Sequence, residues 1–157
     1  MRKGIFVKGF LLAIFLSVGF VHAVEKVYVL ENPYMSRTLA VKDGVLSTQQ
    51  IVNKQAGTNL VPVSCQEFAL RISEGTDKEG TDRILTAKDF VVESVDKKFS
   101  SSIKSYRFRL KNKTHKLTVD VCYELAEDNF YGHKYLEITS GKKVTLEKID
   151  VESIAFE

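Results

Sequence analysis

Tryptophan is absent from this chain of 157 residues, and cysteine occurs only twice, at Cys65 and Cys122. Two cysteines are too few for the disulfide framework that stabilises many small exported domains, so an ordinary hydrophobic core must stabilise the fold. Hydrophobic residues make up 44% of the sequence, which suffices for such a core. The lack of tryptophan removes the largest flat ring that proteins place against the apolar faces of sugars.

The sequence also lacks the short motifs that mark many metal, phosphate and nucleophile sites. It contains no HxH, HExxH or CxxC pair, no G-x-S-x-G elbow and no glycine-rich phosphate loop. Only His115 and His133 follow the N-terminal segment, and neither has partners at metal-ligand spacing. The sequence therefore predicts no metal and no cofactor, and it gives no support to Ser-His-Asp hydrolysis.

Residues 1–23 have the three-part pattern of a secretory signal peptide. A basic start is followed by an apolar run over 9–20 and by the small-residue cleavage signal Val21-His22-Ala23. The apolar run is shorter than the ~20 residues that a membrane span needs. No cysteine near the cleavage point could carry a lipid anchor. We therefore predict cleavage after Ala23, export to the periplasm or the extracellular space, and no membrane anchor thereafter.

Charge is balanced once the signal peptide is removed. The signal peptide carries three basic residues and no acid, so residues 24–157 retain 20 Lys and Arg against 20 Asp and Glu. A net charge of zero gives no electrostatic reason to expect nucleic acid as a partner. Residues 24–157 have the length of one domain and contain no internal repeat.

Apolar residues after Ala23 recur with the period of two that is typical of β-strands. Asp43-Gly44 lies between alternating segments and suits a type I′ turn, with Lys42 opposite Val45 and Val41 opposite Leu46. A second turn is predicted over 53–57, and the charged segment 73–83 is predicted to be a solvated loop. Further strands are predicted over 26–30, 60–63, 68–72, 89–95, 105–110, 116–125, 134–139 and 144–156. No convincing amphipathic helix is left for parallel crossovers, so the predicted fold class is all-β, an antiparallel β-sandwich.

Both cysteines are expected to point away from the main apolar face. Cys122 alternates with Asp120 and Glu124, and Cys65 is out of phase with Phe68. The two thiols could meet in a disulfide on the outer side of one sheet, or they could remain separate. The sequence leaves both arrangements open.

The densest group of candidate site residues is EDNFYGHKYLEI, residues 127–138. Flat rings with neighbouring polar groups are what proteins present to sugars. We therefore predict a carbohydrate-contact rim of Asn129, Phe130, Tyr131, His133 and Tyr135. For His133, the alternative is a partly buried turn histidine beside the two tyrosines.

Four carboxylates near this segment could supply a pair that flanks a glycosidic bond. The candidates are Glu124, Glu127, Asp128 and Glu137. Acids on strand faces and in turns are usually only solvated, so we assign them no catalytic role.

Two stretches carry motifs that occur together in a known family. Residues 29–61 combine an asparagine in the first strand, an "SR" step, a glycine hairpin and an I-x-N-K-x-x-G turn. Residues 117–156 combine a strand ending in Y-E, an acidic aromatic turn, K-x-L-E-I and V-x-L-x-x-I-D-V-E. This combination resembles the galactose-mutarotase-like supersandwich domain at the N-terminus of alpha-galactosidase-like glycoside hydrolases.

The resemblance implies that residues 24–157 are the first part of a longer β-sandwich domain that packs against a catalytic barrel. None of the family's catalytic residues can be carried onto this chain. The function expected first is a non-catalytic portion of an exported glycoside hydrolase that supports the barrel and helps to bind carbohydrate. The alternative is a free-standing carbohydrate-binding module with an oligosaccharide as its partner. A third interpretation, an autonomous mutarotase or small hydrolase, requires histidine and glutamate to converge in a cleft.

Overall fold

The computed structural model describes residues 24–74 and 81–157, except for the side chains of Glu74 and Thr81. The predicted signal peptide lies outside the described residues. Within them the chain is all-β and antiparallel, with thirteen strands, one 3₁₀ turn and no α-helix. The predicted fold class is therefore confirmed. None of the described residues forms a helix of the length and apolarity that crossing a membrane would require.

The strands form four antiparallel sheets. The first, in sequence order, contains β1 (Glu25–Glu31), β2 (Met35–Lys42), β3 (Val45–Asn53) and β4 (Thr58–Leu60). The second, also in sequence order, contains β8 (Val91–Phe99), β9 (Ile103–Asn112), β10 (Leu117–Ala126) and β11 (His133–Ser140). A third sheet places β6 (Ala69–Glu74) between β7 (Thr81–Thr86) and β12 (Thr145–Asp150), and β5 (Ser64–Gln66) pairs with β13 (Ser153–Ala155). The two large sheets are thus simple meanders.

The hairpin predicted at Asp43-Gly44 is confirmed. Both residues have positive φ, 52° and 78°, as a type I′ turn requires, and Val41 pairs with Leu46. A Cβ added to Gly44 would lie 3.0 Å from the side chain of Val91, so the turn also needs a residue without one.

Other boundaries differ from the sequence prediction. The strand predicted over 144–156 is two strands in different sheets, because the chain leaves β12 after Asp150 and pairs again only from Ser153. The loop predicted over 73–83 is shorter, since β6 and β7 extend to Glu74 and Thr81; residues 75–80 lie outside the described residues. The strand predicted over 60–63 ends at Leu60, and the short β5 was not predicted.

The large sheets face each other across one hydrophobic core. The ring of Tyr28 on β1 meets the rings of Tyr106 and Phe108 on β9 edge to face, at 5.5 and 5.1 Å between centroids. Phe68 beside β6 packs against Phe90 in the same way at 5.2 Å. Each large side chain buried here contributes roughly 1.5–3 kcal/mol.

One side of the second sheet packs in the core, and the alternation along β10 shows which residues lie on the other side. Val119, Val121 and Tyr123 point into the core, and they alternate with Asp120 and Cys122, which point to the other side of the sheet and are also buried. We call this second side the outer face. Its residues are Ser105, Arg107, Arg109 and Lys111 on β9, Thr118, Asp120, Cys122 and Glu124 on β10, and His133, Tyr135, Glu137 and Thr139 on β11.

Candidate functional site

An ionic cluster occupies the space where the sheets meet, with the Glu67 carboxylate at its centre. The Glu67 side chain is 0% exposed. Its Oε1 accepts hydrogen bonds from Thr48 Oγ1 at 2.7 Å and from Cys65 Sγ at 3.2 Å. Its Oε2 accepts hydrogen bonds from the Lys134 ammonium at 2.5 Å and from the Tyr123 hydroxyl. All of the acceptor positions of this carboxylate are therefore used within the protein.

Two further charged groups complete what we call the Glu67 cluster. The Arg37 guanidinium lies 3.6 Å from Glu67 Oε2 and forms a two-pronged ion pair with Glu152. Lys134 also donates to Glu152 Oε1 at 2.6 Å. Two cations thus face two anions, which offsets the cost of removing each charge from water.

The electrostatics of the cluster hold each group in one protonation state. Burial alone would raise the pKa of Glu67, but the charges of Lys134 and Arg37 and the hydrogen bonds to the carboxylate lower that pKa to about 2. Burial and the neighbouring Glu67 charge raise the pKa of Tyr123 well above its ordinary value, and raise the pKa of Cys65 to about 11. With Glu67 ionised, saturated with donors and closed to solvent, the cluster has no place for a substrate. Its role is structural.

A different kind of site lies on the outer face. A cleft of about 160 Å³ is lined mainly by side chains that can donate or accept hydrogen bonds. These side chains are Asp96, Lys98, Ser105, Arg107, Cys122, Glu124 and Tyr135. They come from all four strands of the sheet. Asp96 on β8 pairs with Arg107 on β9, and Cys122 on β10 pairs with Arg107 on one side and with Tyr135 of β11 on the other. We call this the outer-face cleft.

Hydrogen bonds and ion pairs hold the side chains of the cleft and its margin in place. The Tyr135 hydroxyl donates to Glu124 Oε1 at 2.9 Å, and Arg107 contacts Glu137 at 3.2 Å. Beside them, Arg109 donates two hydrogen bonds to Asp120, at 2.9 and 2.8 Å. Those bonds lower the pKa of Asp120, while burial and the bond to Glu124 raise the pKa of Tyr135 to about 12. Three side chains of the cleft, Arg107, Glu124 and Tyr135, are therefore oriented by contacts with neighbouring residues of the sheet.

The loop that carries most of the predicted rim is anchored by Asn32. This buried side chain donates from Nδ2 to the carbonyls of Ala126 and Asn129, both at 2.7 Å. Its Oδ1 accepts from the backbone N–H groups of Tyr34 and Met35, both at 2.9 Å. The turn between β1 and β2 and the loop between β10 and β11 are thereby joined at one end of the sandwich.

The five residues of the predicted rim have different surroundings in the structure. Tyr131 is 57% exposed and its ring contacts that of His133, with 5.1 Å between centroids, while Tyr135 belongs to the outer-face cleft. Phe130 is 65% exposed and packs instead against Tyr34, at 4.7 Å. Asn129 is half-buried, with its carbonyl used by Asn32. Carbohydrate contact stays a prediction for all five residues.

The alternative interpretation of His133 as a partly buried turn residue is wrong. His133 is exposed and is the first residue of β11. His115 lies in the turn before β10, whereas His133 pairs with Glu124 near the end of that strand. The two histidines therefore lie toward opposite ends of β10 and do not converge in a cleft.

The structure contains no disulfide between the two cysteines; both thiols are free. Cys65 donates to Glu67 on the core side of the second sheet, whereas Cys122 lies on its outer face. Strand β10 itself separates them, because Tyr123 points toward Glu67 and its neighbour Cys122 points the other way. Of the two arrangements that the sequence left open, the structure has separate thiols.

Three of the carboxylates near the predicted rim have partners within the protein. Glu124 accepts from Tyr135, Glu137 pairs with Arg107, and Glu127 pairs with Lys104 at 3.0 Å. Within the described part of the chain, no group of three or more His, Cys, Asp or Glu side chains is placed to hold a metal ion.

Sequence reasoning missed the Glu67 cluster, although two of its members carry a signal. Arg37 is in phase with the inward-facing Leu39, and Lys134 is in phase with the half-buried Leu136. A charge at an inward position of a strand must find a partner, so these two positions predict a buried ion pair. Glu67 and Glu152 lie between strands and have no such periodic signal.

Comparison with known proteins gives no relative. No protein family model matches the chain, and neither a curated protein nor a solved structure is significantly similar to it.

Proposed function

We propose that this chain is a non-catalytic carbohydrate-binding β-sandwich domain of an exported protein, and that it holds its ligand in the outer-face cleft. The observation that carries the proposal is the array of Asp96, Arg107, Glu124 and Tyr135 around that cleft. Carboxylates and guanidinium groups that are already held in place can bind sugar hydroxyls without paying for new side-chain order. The ring of Tyr135, whose residue is 36% exposed, supplies an aromatic surface beside them.

The directions of the pKa shifts exclude three carboxylates outside the cleft as the proton donor of a hydrolase. Glycoside hydrolysis needs a carboxylic acid that stays protonated near neutral pH. Glu67, Asp120 and Glu152 have clearly shifted pKa values, and every one of them is lowered. None of these three can serve as the proton donor.

Titration of the ¹⁵N-labelled protein with a panel of neutral oligosaccharides, followed by amide chemical shifts, tests the proposal. We expect saturable shifts at residues 105–107, 122–124 and 133–135, because these flank the cleft. Replacing Tyr135 by alanine should weaken binding about tenfold, which corresponds to roughly 1.4 kcal/mol.

Phe156→Ala is the matched control, since Phe156 is an aromatic residue of nearly equal exposure, 38% against 36%, that lies outside the cleft. It should leave binding unchanged. If no oligosaccharide produces a saturable shift at millimolar concentration, the proposal is wrong.

A second function, support of a catalytic barrel in a longer glycoside hydrolase, is favoured by a different surface. Val61 and Val63 are exposed beside β13, where the Val63 N–H donates to the carbonyl of Ala155, and Phe156 follows directly. Three exposed apolar side chains in neighbouring segments suit packing against another domain.

The reading frame after codon 157 tests this second function. An open frame with alternating strand and helix patterns of a (β/α)₈ barrel would support it. A stop codon at that point would contradict it and would leave the binding module as the remaining proposal.

A further inference from the structure

The end of the sandwich opposite the Asn32 anchor has a concentrated positive charge. Five lysines lie at this end, and we call them the lysine end: Lys111 near the end of β9, Lys113 and Lys116 in the turn before β10, and Lys142 and Lys143 in the loop after β11. Residues 110–119 and 138–146 contain no aspartate or glutamate. Lys111 is paired with Glu93 on the neighbouring strand β8, at 3.2 Å. The turn residues Lys113 and Lys116 add positive charge beside that pair.

Backbone contacts fix the two segments beside each other. The Gly141 N–H donates to the carbonyl of Lys116 at 2.8 Å, and a Cβ on Gly141 would come within 3.4 Å of the Lys116 side chain. Lys116 itself has a φ of 51°, a left-handed conformation that completes the turn. The lysines are therefore presented by two ordered turns.

A shallow hollow lies between these turns. It is lined by lysines and by hydroxyl-bearing residues, with almost no other side-chain chemistry: Lys111, Lys113, Lys116, Thr118, Thr139, Ser140 and Gly141. Thr118 pairs with both Lys111 and Thr139 and belongs to the outer face. The hollow is thus the continuation of the surface that carries the outer-face cleft.

We propose that the lysine end binds the acidic groups of an anionic polysaccharide whose neutral portions occupy the outer-face cleft. This inference rests on the proposed function and assigns its substrate class. Ammonium groups supply the charge complement of carboxylates or sulfates, and the threonine and serine hydroxyls beside them match sugar hydroxyls. Thr118 and Cys122 are four residues apart on β10, so about 13 Å separates the hollow from the cleft, a span for one extended oligosaccharide.

The same charges would attract a nucleic acid, but the hollow lacks the other half of that recognition. Single-stranded nucleic acids are held by aromatic rings on which the bases stack. The lining of this hollow, all within the described part of the chain, contains no aromatic ring. Exposed rings such as Phe130 and Tyr131 belong to the loop at the opposite end of β10.

The test compares galacturonic acid oligosaccharides with galactose oligosaccharides of equal length, by calorimetry at 20 and 200 mM salt. We expect the acidic series to bind at least tenfold more tightly at low salt and to lose most of that preference at high salt. A triple variant, Lys113→Gln, Lys116→Asn and Lys143→Gln, should abolish the preference and leave the neutral series within twofold. Asparagine is chosen at position 116 because it tolerates positive φ.

A charge-matched control carries Lys54→Gln, Lys97→Gln and Lys148→Gln, which are exposed lysines outside the hollow. It should retain the acidic preference. If both triple variants lose the preference, it arises from the net charge of the protein and not from the lysine end, and the inference is overturned.

The remaining outcomes separate the two proposals. Equal binding of both series would overturn the acidic-ligand inference and keep the carbohydrate-binding function. If neither series binds, both proposals are overturned. If oligothymidylate binds as tightly as the acidic oligosaccharides, the inference of a glycan ligand is overturned, and nucleic acid becomes the inferred ligand of this end.

Discussion

At the scale of single residues, the chain is distinguished by a carboxylate that is wholly enclosed and fully bonded. Glu67 is held by two cations, a tyrosine hydroxyl, a threonine hydroxyl and a thiol. Such a group costs several kcal/mol to desolvate, and that cost is offset only while every partner is present. Glu67 should therefore be sensitive to changes that keep its shape and alter its charge.

We expect Glu67→Gln to destabilise the protein by about 3–5 kcal/mol, because Lys134 and Arg37 would face each other with one anion fewer. Urea denaturation measures this change. Glu93→Gln is the control: it removes an exposed ion pair with Lys111, at 3.2 Å, and should cost less than about 1 kcal/mol. Equal effects of the two substitutions would contradict the structural role of the Glu67 cluster.

The thiols offer a second measurement at this scale. Burial raises the pKa of both, for Cys65 to about 11, so neither is an activated thiolate at neutral pH. We expect slow reaction with Ellman's reagent in the folded protein at pH 8 and two titratable thiols in denaturant without reductant. No titratable thiol in denaturant would mean that the cysteines are paired after all.

At the scale of elements, Asn32 joins two segments that are distant in sequence: the turn between β1 and β2 and the loop between β10 and β11. One amide side chain satisfies two carbonyls at the end of β10 and two N–H groups at the start of β2. The buried amide, with four well-formed hydrogen bonds, therefore holds the two connecting segments together.

We expect Asn32→Ala to leave the strands intact and to cost about 1–3 kcal/mol, since the half-buried carbonyls of Ala126 and Asn129 lose their donor. Hydrogen exchange should become faster at amides 127–132 and remain unchanged in the centre of β10. Asn59→Ala on β4 is the control, because Asn59 is exposed. Uniform acceleration across the protein would instead indicate global destabilisation.

Elements were predictable where local chemistry decides them. The hairpin at Asp43-Gly44 follows from one dipeptide that tolerates positive φ at both positions, and β10 follows from strict alternation. The division of 144–156 was not predictable from the same rules. Glu152 leaves the strand pattern to reach Arg37 and Lys134, partners that are far away in sequence. Of the candidate site, the exposed rings were predictable from composition, but the cleft was not, since four strands form it.

At the scale of the whole molecule, the Glu67 cluster is the point at which the sheets are joined. Arg37 and Thr48 come from the first sheet, Tyr123 and Lys134 from the second, and Glu67 and Glu152 from the segments that lead into β6 and β13. The protonation of one carboxyl therefore affects contacts across the entire core.

Acid should unfold the protein in a defined window. Glu67 has a folded pKa of about 2 against an ordinary value of 4.5, and the pKa of Glu152 is also lowered because Arg37 and Lys134 outweigh its burial. Above about pH 5 the stabilisation is complete; as the pH falls from 4.5 toward 2, the unfolded chain binds protons first and stability is lost. For Glu67 alone this amounts to about 3 kcal/mol.

Thermal unfolding measured from pH 7 to pH 2 checks this prediction, with Glu67→Gln as the comparison. The variant should start less stable and lose less stability over the acid range, because it no longer carries that carboxyl. Parallel pH profiles for the two proteins would show that the loss arises elsewhere.

The sequence by itself determined the all-β class, the antiparallel pairing of neighbouring strands and the hairpin turns. These depend on the period of two and on residues that tolerate positive φ, which are properties of short segments. Only the tertiary structure decided that Glu67 is buried among two cations, that the two cysteines lie on opposite sides of β10, and that the lysines gather at one end. Each of these depends on residues brought together from distant strands, and the alternation of one strand says nothing about which strand will face it.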